Sequence, residues 1–297
     1  VIDGQWKLTY PGMEYTFGTP DLPTFNRTTP DVGDVDIRVA DVDRPRTDGR
    51  TFGVDFRSGR TISFDLGVRG RTEEDARRES ALLTTAWRAD PVRLTPGGVA
   101  ELHARYAGRD RVAFGRPRRF SPNFSDVRVN GFVTVTADFA AIDDLFYAPD
   151  TETIQFGIVP PLGGGLLAPL ASPLSTTMNS DRSQAIRVAS EMPVWPVVEI
   201  HGPVANPVLT VVGTGGSGFT FDVRLTLLYD ESITIDTRPW ARSALRNGTA
   251  NVAGAVRGTR LSKAALAAGS YEVGLKGNDP TGTARVRLSW RPTYASL

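Results

Sequence analysis

The sequence predicts a mainly β protein with one α-helix, in two domains that meet near residue 145. Three observations carry the prediction. Apolar and polar residues alternate along most of the chain, the mark of half-buried strands. One stretch, Thr72 to Arg88, has helical spacing instead. And a chain of 297 residues lies at the size, roughly 250–300 residues, where single cores stop growing and chains divide.

The elements follow in order. Ile62, Phe64, Leu66 and Val68 share one strand face, with Ser63, Asp65 and Gly67 between them. The helix comes next. Thr72 is placed to cap it, with Asp75 three residues on. Glu73, Glu74 and Asp75 put acid where the helix dipole favours it. Glu73 with Arg77 and Glu74 with Arg78 are i,i+4 pairs. Ala76, Leu83 and Trp87 form its apolar stripe, with Leu82 and Ala86 at the edge, and Pro91 is expected to stop it. This reads as a helix packed on a barrel, with Trp87 in the core. Val99 to Tyr106 is a further strand. Val127, Val129, Gly131, Val133 and Val135 alternate as one strand, and Phe219, Phe221, Val223, Leu225 and Leu227 as another. Tyr271, Val273 and Leu275, then Val286, Leu288 and Trp290, read as a closing pair joined by a turn at Asp279-Pro280-Thr281-Gly282. Thr259 to Ala268 fits either a short helix or a loop. The apolar stretch from Ile158 to Leu174 is broken by Pro160, Pro161, Gly163, Gly164, Gly165, Pro169 and Pro173 and reads as a loop, so the domains are drawn as 1–145 and 146–297.

Composition excludes several classes of function. Thirty-four basic residues nearly cancel thirty-three acidic ones, and no basic run suggests sequence-specific nucleic-acid binding. The absence of Cys removes disulfides, thiolate metal sites and a cysteine nucleophile. Val1-Ile2-Asp3-Gly4-Gln5-Trp6 lacks the pattern of a signal peptide. No run approaches the about 18 apolar residues of a spanning helix, so no membrane insertion is expected.

Chemistry-bearing residues are few. His103 and His201 are the only histidines, each in or at the end of a strand, and no Gly-x-Ser-x-Gly elbow accompanies them. Structural or solvent-facing roles suit both. Gly213 to Gly218 lies between two β runs rather than before a helix, so it reads as a hairpin loop and not a phosphate cradle. Asp143-Asp144 and Asp150/Glu152 offer carboxylates for a glycosidase, but neighbouring acids are common on ordinary loops. Asp31, Asp34, Asp36, Asp41 and Asp43 cluster without the Gly and Glu that complete a calcium loop, and Arg38, Arg44, Arg46 and Arg50 interleave with them as partners. Trp195, between Val194 and Pro196, and Trp240, after Pro239, lie in loop contexts; they either plug the edges of a sandwich or offer faces to a sugar. No catalytic residue, metal site or cofactor is assigned.

A combination of motifs resembles a known family. Trp195-Pro196-Val197-Val198-Glu199-Ile200-His201-Gly202-Pro203-Val204-Ala205-Asn206-Pro207, the Gly213–Gly218 turn, a long strand over Phe219–Tyr229, Ile233-Thr234-Ile235-Asp236 and the closing Val286–Tyr294 follow one another as in distal tail (Dit) proteins of siphophages, most closely the minor tail proteins of actinobacterial phages. Tyr15–Gly18, Pro45–Gly53, Gly59–Phe64 and Ala86-Trp87 resemble the first half of that family. Ala189-Ser190-Glu191-Met192 departs from the Asn/Gly-type turn expected there. The resemblance implies an N-terminal β-barrel belt domain with one helix and a C-terminal galectin-like β-sandwich. It implies a structural protein of the virion tail tip, made in the bacterial host cytoplasm, and not an enzyme. Its belt domains form a six-fold ring that joins the tail tube protein to the tail-associated hub protein. DNA passes through the lumen without specific binding. Receptor-binding proteins are further possible partners. On that reading the five aspartates line the channel, where like charge keeps DNA from sticking. The alternative is a carbohydrate-binding adhesin that meets the host envelope through Trp195 or Trp240.

Overall fold

The computed structural model describes residues 2–125, 127–158, 183–279 and 281–297. The chain divides into two compact units, Val1–Pro149 with Tyr294–Leu297, and Asp150–Thr293.

The first unit runs β1 (Trp6–Tyr10), β2 (Met13–Phe17), β3 (Thr24–Asn26), four two-residue strands β4 (Ile37–Arg38), β5 (Val42–Asp43), β6 (Arg50–Thr51) and β7 (Phe56–Arg57), then β8 (Thr61–Arg69), α1 (Glu73–Arg88), α2 (Asp90–Arg93), β9 (Ala100–Tyr106), β10 (Arg109–Asn123), α3 (Val127–Asn130), β11 (Phe132–Ala141) and β12 (Phe146–Tyr147). Its sheet has the order β2-β1-β9-β10-β11-β8-β3. A bridge between Gly18 and Phe25 joins the two end strands, so the sheet is a nearly closed barrel. Gly18 takes φ +119, and a Cβ there would lie 2.7 Å from Gly4 O, so glycine allows this closure. Inside, Trp6, Phe17, Phe64 and Trp87 meet edge to face at 5.0–5.9 Å. The Trp87 indole N–H donates to Asp138 O at 3.2 Å.

Helix α1 forms as its sequence indicates. The Thr72 hydroxyl accepts the Asp75 N–H at 3.1 Å, and Arg77 pairs with Glu73 at 2.7 Å. Arg78 differs from expectation: it pairs with Asp75, one residue nearer, and not with Glu74. The helix ends because Ala89 adopts a left-handed conformation; Pro91 opens the short α2 rather than stopping α1. A second expectation fails at Val127. Residues Val127–Asn130 form a helical turn, closed by Gly131 N–H on Val127 O and ended by the positive φ of Gly131, and the strand starts only at Phe132. Val127 is buried in this turn as it would be in a strand, so four alternating residues do not decide between the two.

The second unit contains β13 (Glu152–Gly157), β14 (Ser183–Val188), β15 (Val197–His201), β16 (Val204–Gly213), β17 (Gly218–Val223), β18 (Thr226–Leu227), β19 (Ser232–Asp236), β20 (Ser243–Arg246), β21 (Ala250–Asn251), β22 (Val256–Gly258), β23 (Gly269–Asn278) and β24 (Arg285–Trp290). One sheet has the order β13-β24-β15-β19-β20-β21. The other runs β14-β23-β16-β17-β22, with β18 also on β16. Their inner faces share one core. The expected pairing of the last two long strands does not occur, because β23 and β24 belong to opposite sheets. Buried Asp279 turns the chain between them, accepting Thr281 N–H at 2.9 Å, the Thr281 hydroxyl at 2.7 Å and Ala284 N–H at 2.8 Å. The expected strand from Phe219 to Leu227 is also broken after Val223. Asn206, with φ 49, makes a bulge in the partner strand, and pairing resumes at Thr226 with Ala205. Within Thr259–Ala268 only Leu261–Lys263 is helical, as a single 3-10 turn. The Pro- and Gly-rich loop expected after Ile158 lies outside the described residues from 159 to 182. Among the described residues no helix is long and apolar enough to cross a membrane.

Candidate functional site

Between β3 and β8 the chain leaves the barrel as a two-stranded arm. Ile37 and Arg38 pair with Arg57 and Phe56, and further out Val42 and Asp43 pair with Thr51 and Arg50. The register slips by one between these ladders, where Gly53 lies flush on the backbone of Ala40; a Cβ there would lie 2.1 Å from Ala40 O. The Arg44 N–H on Gly49 O closes the far end. Ile37, Val39, Val42, Phe52, Val54 and Phe56 are 55–83% exposed. Because cross-strand partners share a face, Ile37 lies beside Arg57 while Phe56 lies beside Arg38, and apolar side chains occupy both faces.

All five aspartates lie on this arm or at its foot. Asp31 bridges to Ser63 in β8, and its side chain accepts Gly33 N–H at 2.9 Å. Asp41 and Asp43 both pair with Arg50, at 3.6 and 3.4 Å. Asp34 and Asp36 have no ion pair among the described residues. Interleaved arginine therefore neutralises the outer part of the cluster.

Asp143 and Asp144 sit in the turn between β11 and β12, where the arm returns. Asp144 pairs with Arg57 at 3.0 Å. Asp143 accepts the Tyr147 hydroxyl at 2.5 Å and Leu145 N–H at 3.2 Å. Burial, the largest effect, pushes its carboxyl up to about 6, against the lowering effect of these two donors. The exposed alternation on either side of Asp48-Gly49 is the sequence signal for an arm, and Tyr147 four residues after Asp143 is the only hint of the buried acid; neither was legible as such from spacing alone.

In the second unit, Trp195 and Trp240 come to the same end of one sheet. The β15–β19 ladder pairs Val197 with Asp236, and Pro196 O accepts the Thr237 hydroxyl at 2.7 Å, so the segments bearing the tryptophans run side by side. Both are half-buried. Buried Asp236 holds Arg238 through contacts of 2.5–3.1 Å, and the Arg238 guanidinium lies 5.5 Å over the Trp240 ring. One ring face is thus already taken. His103 and His201 face Glu101 and Glu199 two residues away on their own strands, at 3.1 and 3.8 Å. Gly213–Gly218 links β16 to β17, as a hairpin connection does. Among the described residues no group of three or more His, Asp or Glu is set to hold a metal.

No protein-family model and no curated protein matches the chain. Solved structures do. One is the SPP1 Dit protein, described as a paradigm of hub adsorption apparatus in phages that infect Gram-positive bacteria. It matches at 14% identity with a TM-score of 0.56, over 97% of this chain and 99% of that one. The chain has the Dit fold. A component of the phage P2 baseplate, in its activated conformation with Ca, matches at 13% identity and TM-score 0.54, over 96% of this chain and 97% of the other. A fold shared over 97% of the chain extends across both units.

Proposed function

We propose that this protein is a structural subunit of a phage tail tip, and that its first unit assembles into a six-copy ring joining the tail tube protein to the hub protein around the DNA channel. The arm carries the reading. A two-stranded hairpin is marginal in water by itself, and this one has large apolar side chains on both faces. Each such side chain gains about 1.5–3 kcal/mol on full burial. A covering surface is therefore expected, and a second copy supplies it wherever copies are arranged head to tail. Such a ring needs two different surfaces on each copy, and the arm is one of them. The full-length Dit fold supports the same placement. On this reading the channel-lining role falls to Asp34 and Asp36, since Asp41 and Asp43 are matched by Arg50.

The adhesin reading has less support. The tryptophans do share one sheet end, but Arg238 already covers one face of Trp240.

Native mass spectrometry with negative-stain imaging tests the ring. The wild-type protein is expected as six-membered rings with a central hole. Phe52→Asp with Phe56→Asp, both at exposed positions, is expected to give monomers of unchanged melting temperature. Rings that survive the double substitution, or a wild-type chain that stays monomeric even with tail tube protein added, overturn the proposal.

A further inference from the structure

Where the Gly18–Phe25 bridge closes the barrel, a cleft of about 290 Å3 opens beside Gly18. Thr19, Asn26, Arg27, Thr28, Thr29 and Tyr106 line it, all in the first unit. Its volume is near the lower end of the roughly 300–1,000 Å3 of small-molecule sites. The walls are fixed from behind. The Gln5 amide donates to the Thr19 hydroxyl at 3.3 Å, and the Arg69 guanidinium donates to Pro20 O. Arg27 is held on the Asp65 carboxylate at 3.0 and 3.3 Å, and its backbone N–H donates to Asp65 O at 2.8 Å. The one cation of the lining is thus already matched. The neutral groups are not. The Asn26 side-chain amide makes no hydrogen bond among the described residues, and its oxygen is buried, which leaves the nitrogen as the group that meets the cleft. Thr28 and Thr29 are exposed and Tyr106 is 41% exposed, and their hydroxyls have no hydrogen-bond partner among the described residues either.

We propose that this cleft binds one neutral sugar residue, free or at the end of a glycan. Its free groups narrow the ligand. An amide nitrogen donates, and a hydroxyl both donates and accepts, so together they match a molecule rich in hydroxyls. An anion would need an unmatched cation, and Arg27 already has its carboxylate. A sugar ring carries hydroxyls on its rim and C–H groups on its face. The Asn26 amide and the hydroxyls of Thr19, Thr28 and Thr29 take the rim, and the electron-rich face of the Tyr106 ring takes the C–H groups. The fixed backing of Thr19, Pro20 and Arg27 means that the walls need little ordering when the sugar enters. Trp195 and Trp240 belong to the second unit and have no part in this site. Nor does the site depend on the ring, because a single copy supplies every group that lines it.

Saturation-transfer NMR of the full chain tests it, with the methyl glycosides of glucose, galactose, mannose and N-acetylglucosamine as probes. At least one is expected to bind with a dissociation constant on the order of 1 mM, the strength a ligand of about a dozen atoms reaches. Tyr106→Ala, and separately Thr28→Val with Thr29→Val, are at exposed positions and are expected to weaken that binding several-fold at unchanged melting temperature. Trp240→Ala is expected to leave it as it is. No transfer to any of the four probes overturns the site. So does binding that survives both the tyrosine and the threonine substitutions. Binding lost in Trp240→Ala and kept in Tyr106→Ala overturns it as well, and places the sugar on the second unit. Inorganic phosphate that displaces the glycoside also overturns it, by marking Arg27 as the seat of an anion.

Discussion

Replacing Asp143 by Asn is expected to stabilise the first unit at neutral pH and to leave it little changed in acid. The carboxyl sits at about 6 in the folded chain against 3.8 for a free side chain, and burial is the main cause. An acid whose pKa is raised on folding binds its proton more tightly folded than unfolded. Its contribution is therefore fully present below about pH 4, is lost as pH rises towards 6, and is absent above. A difference of roughly two pKa units corresponds to about 3 kcal/mol. That value is a ceiling, since the residue as a whole is only half-buried and the carboxyl is its covered part. Asparagine can keep both contacts, its oxygen accepting Leu145 N–H and its amide donating to the Tyr147 oxygen. Urea unfolding of both proteins at about pH 7.5 and about pH 4 measures the effect. The variant should be more stable by about 1–3 kcal/mol at the higher pH, with the gap closing at the lower one. A gap of the same size at both values would refute the claim that a buried charge is its source.

Three further outcomes follow from the packing. Thr72→Ala removes the acceptor for Asp75 N–H and should cost about 1 kcal/mol, seen as a lower urea midpoint with unchanged slope. Trp87→Ala removes a side chain 1% exposed, its contacts with Phe17 and Phe64 at 5.9 Å and its bond to Asp138 O; a loss of about 3–5 kcal/mol is expected, and less than about 1 would mean that the helix does not pack on the barrel core. Asp279→Ala strips the turn between β23 and β24 of its acceptor and leaves buried Ala284 N–H unpaired, so the second unit should lose on the order of 2 kcal/mol while the first is unaffected in a domain-resolved melt.

What the sequence made legible, and what it did not, divides along a physical line. Local signals were read correctly where the deciding interaction is itself local. Thr72 caps α1, Glu73 meets Arg77, and the apolar stripe of Ala76, Leu83 and Trp87 is buried. The mainly β class followed from alternation, which reports only that one side of a strand meets apolar surroundings. It does not report which strand lies alongside. Tyr271, Val273 and Leu275 and then Val286, Leu288 and Trp290 all point inward, as alternation requires, yet they face one core from opposite sheets. Nothing in their own spacing separates a hairpin from a crossing between sheets. The deciding residue is Asp279, whose carboxylate gathers donors from Thr281 and Ala284 into a turn that carries the chain across.

The arm poses the same limit from the other side. Alternation usually means one wet face and one dry face, but here cross-strand neighbours mix arginine and aromatic residues, and neither face is covered. Sequence spacing drew attention to the acids between these apolar positions and not to the positions themselves. The candidate site was therefore only half legible: Asp31, Asp34, Asp36, Asp41 and Asp43 lie on the arm or at its foot, but the proposed ring rests on the arm's exposed apolar residues, which spacing did not single out. An exposed ribbon of this kind is stable only when something fixes its base and something covers its length. The turn after β11 answers the first need within the chain, through Arg57, Gly59 and Arg60. The second need cannot be met by the arm's own residues, since apolar groups lie on both of its faces, and that is the physical reason to expect another copy against it.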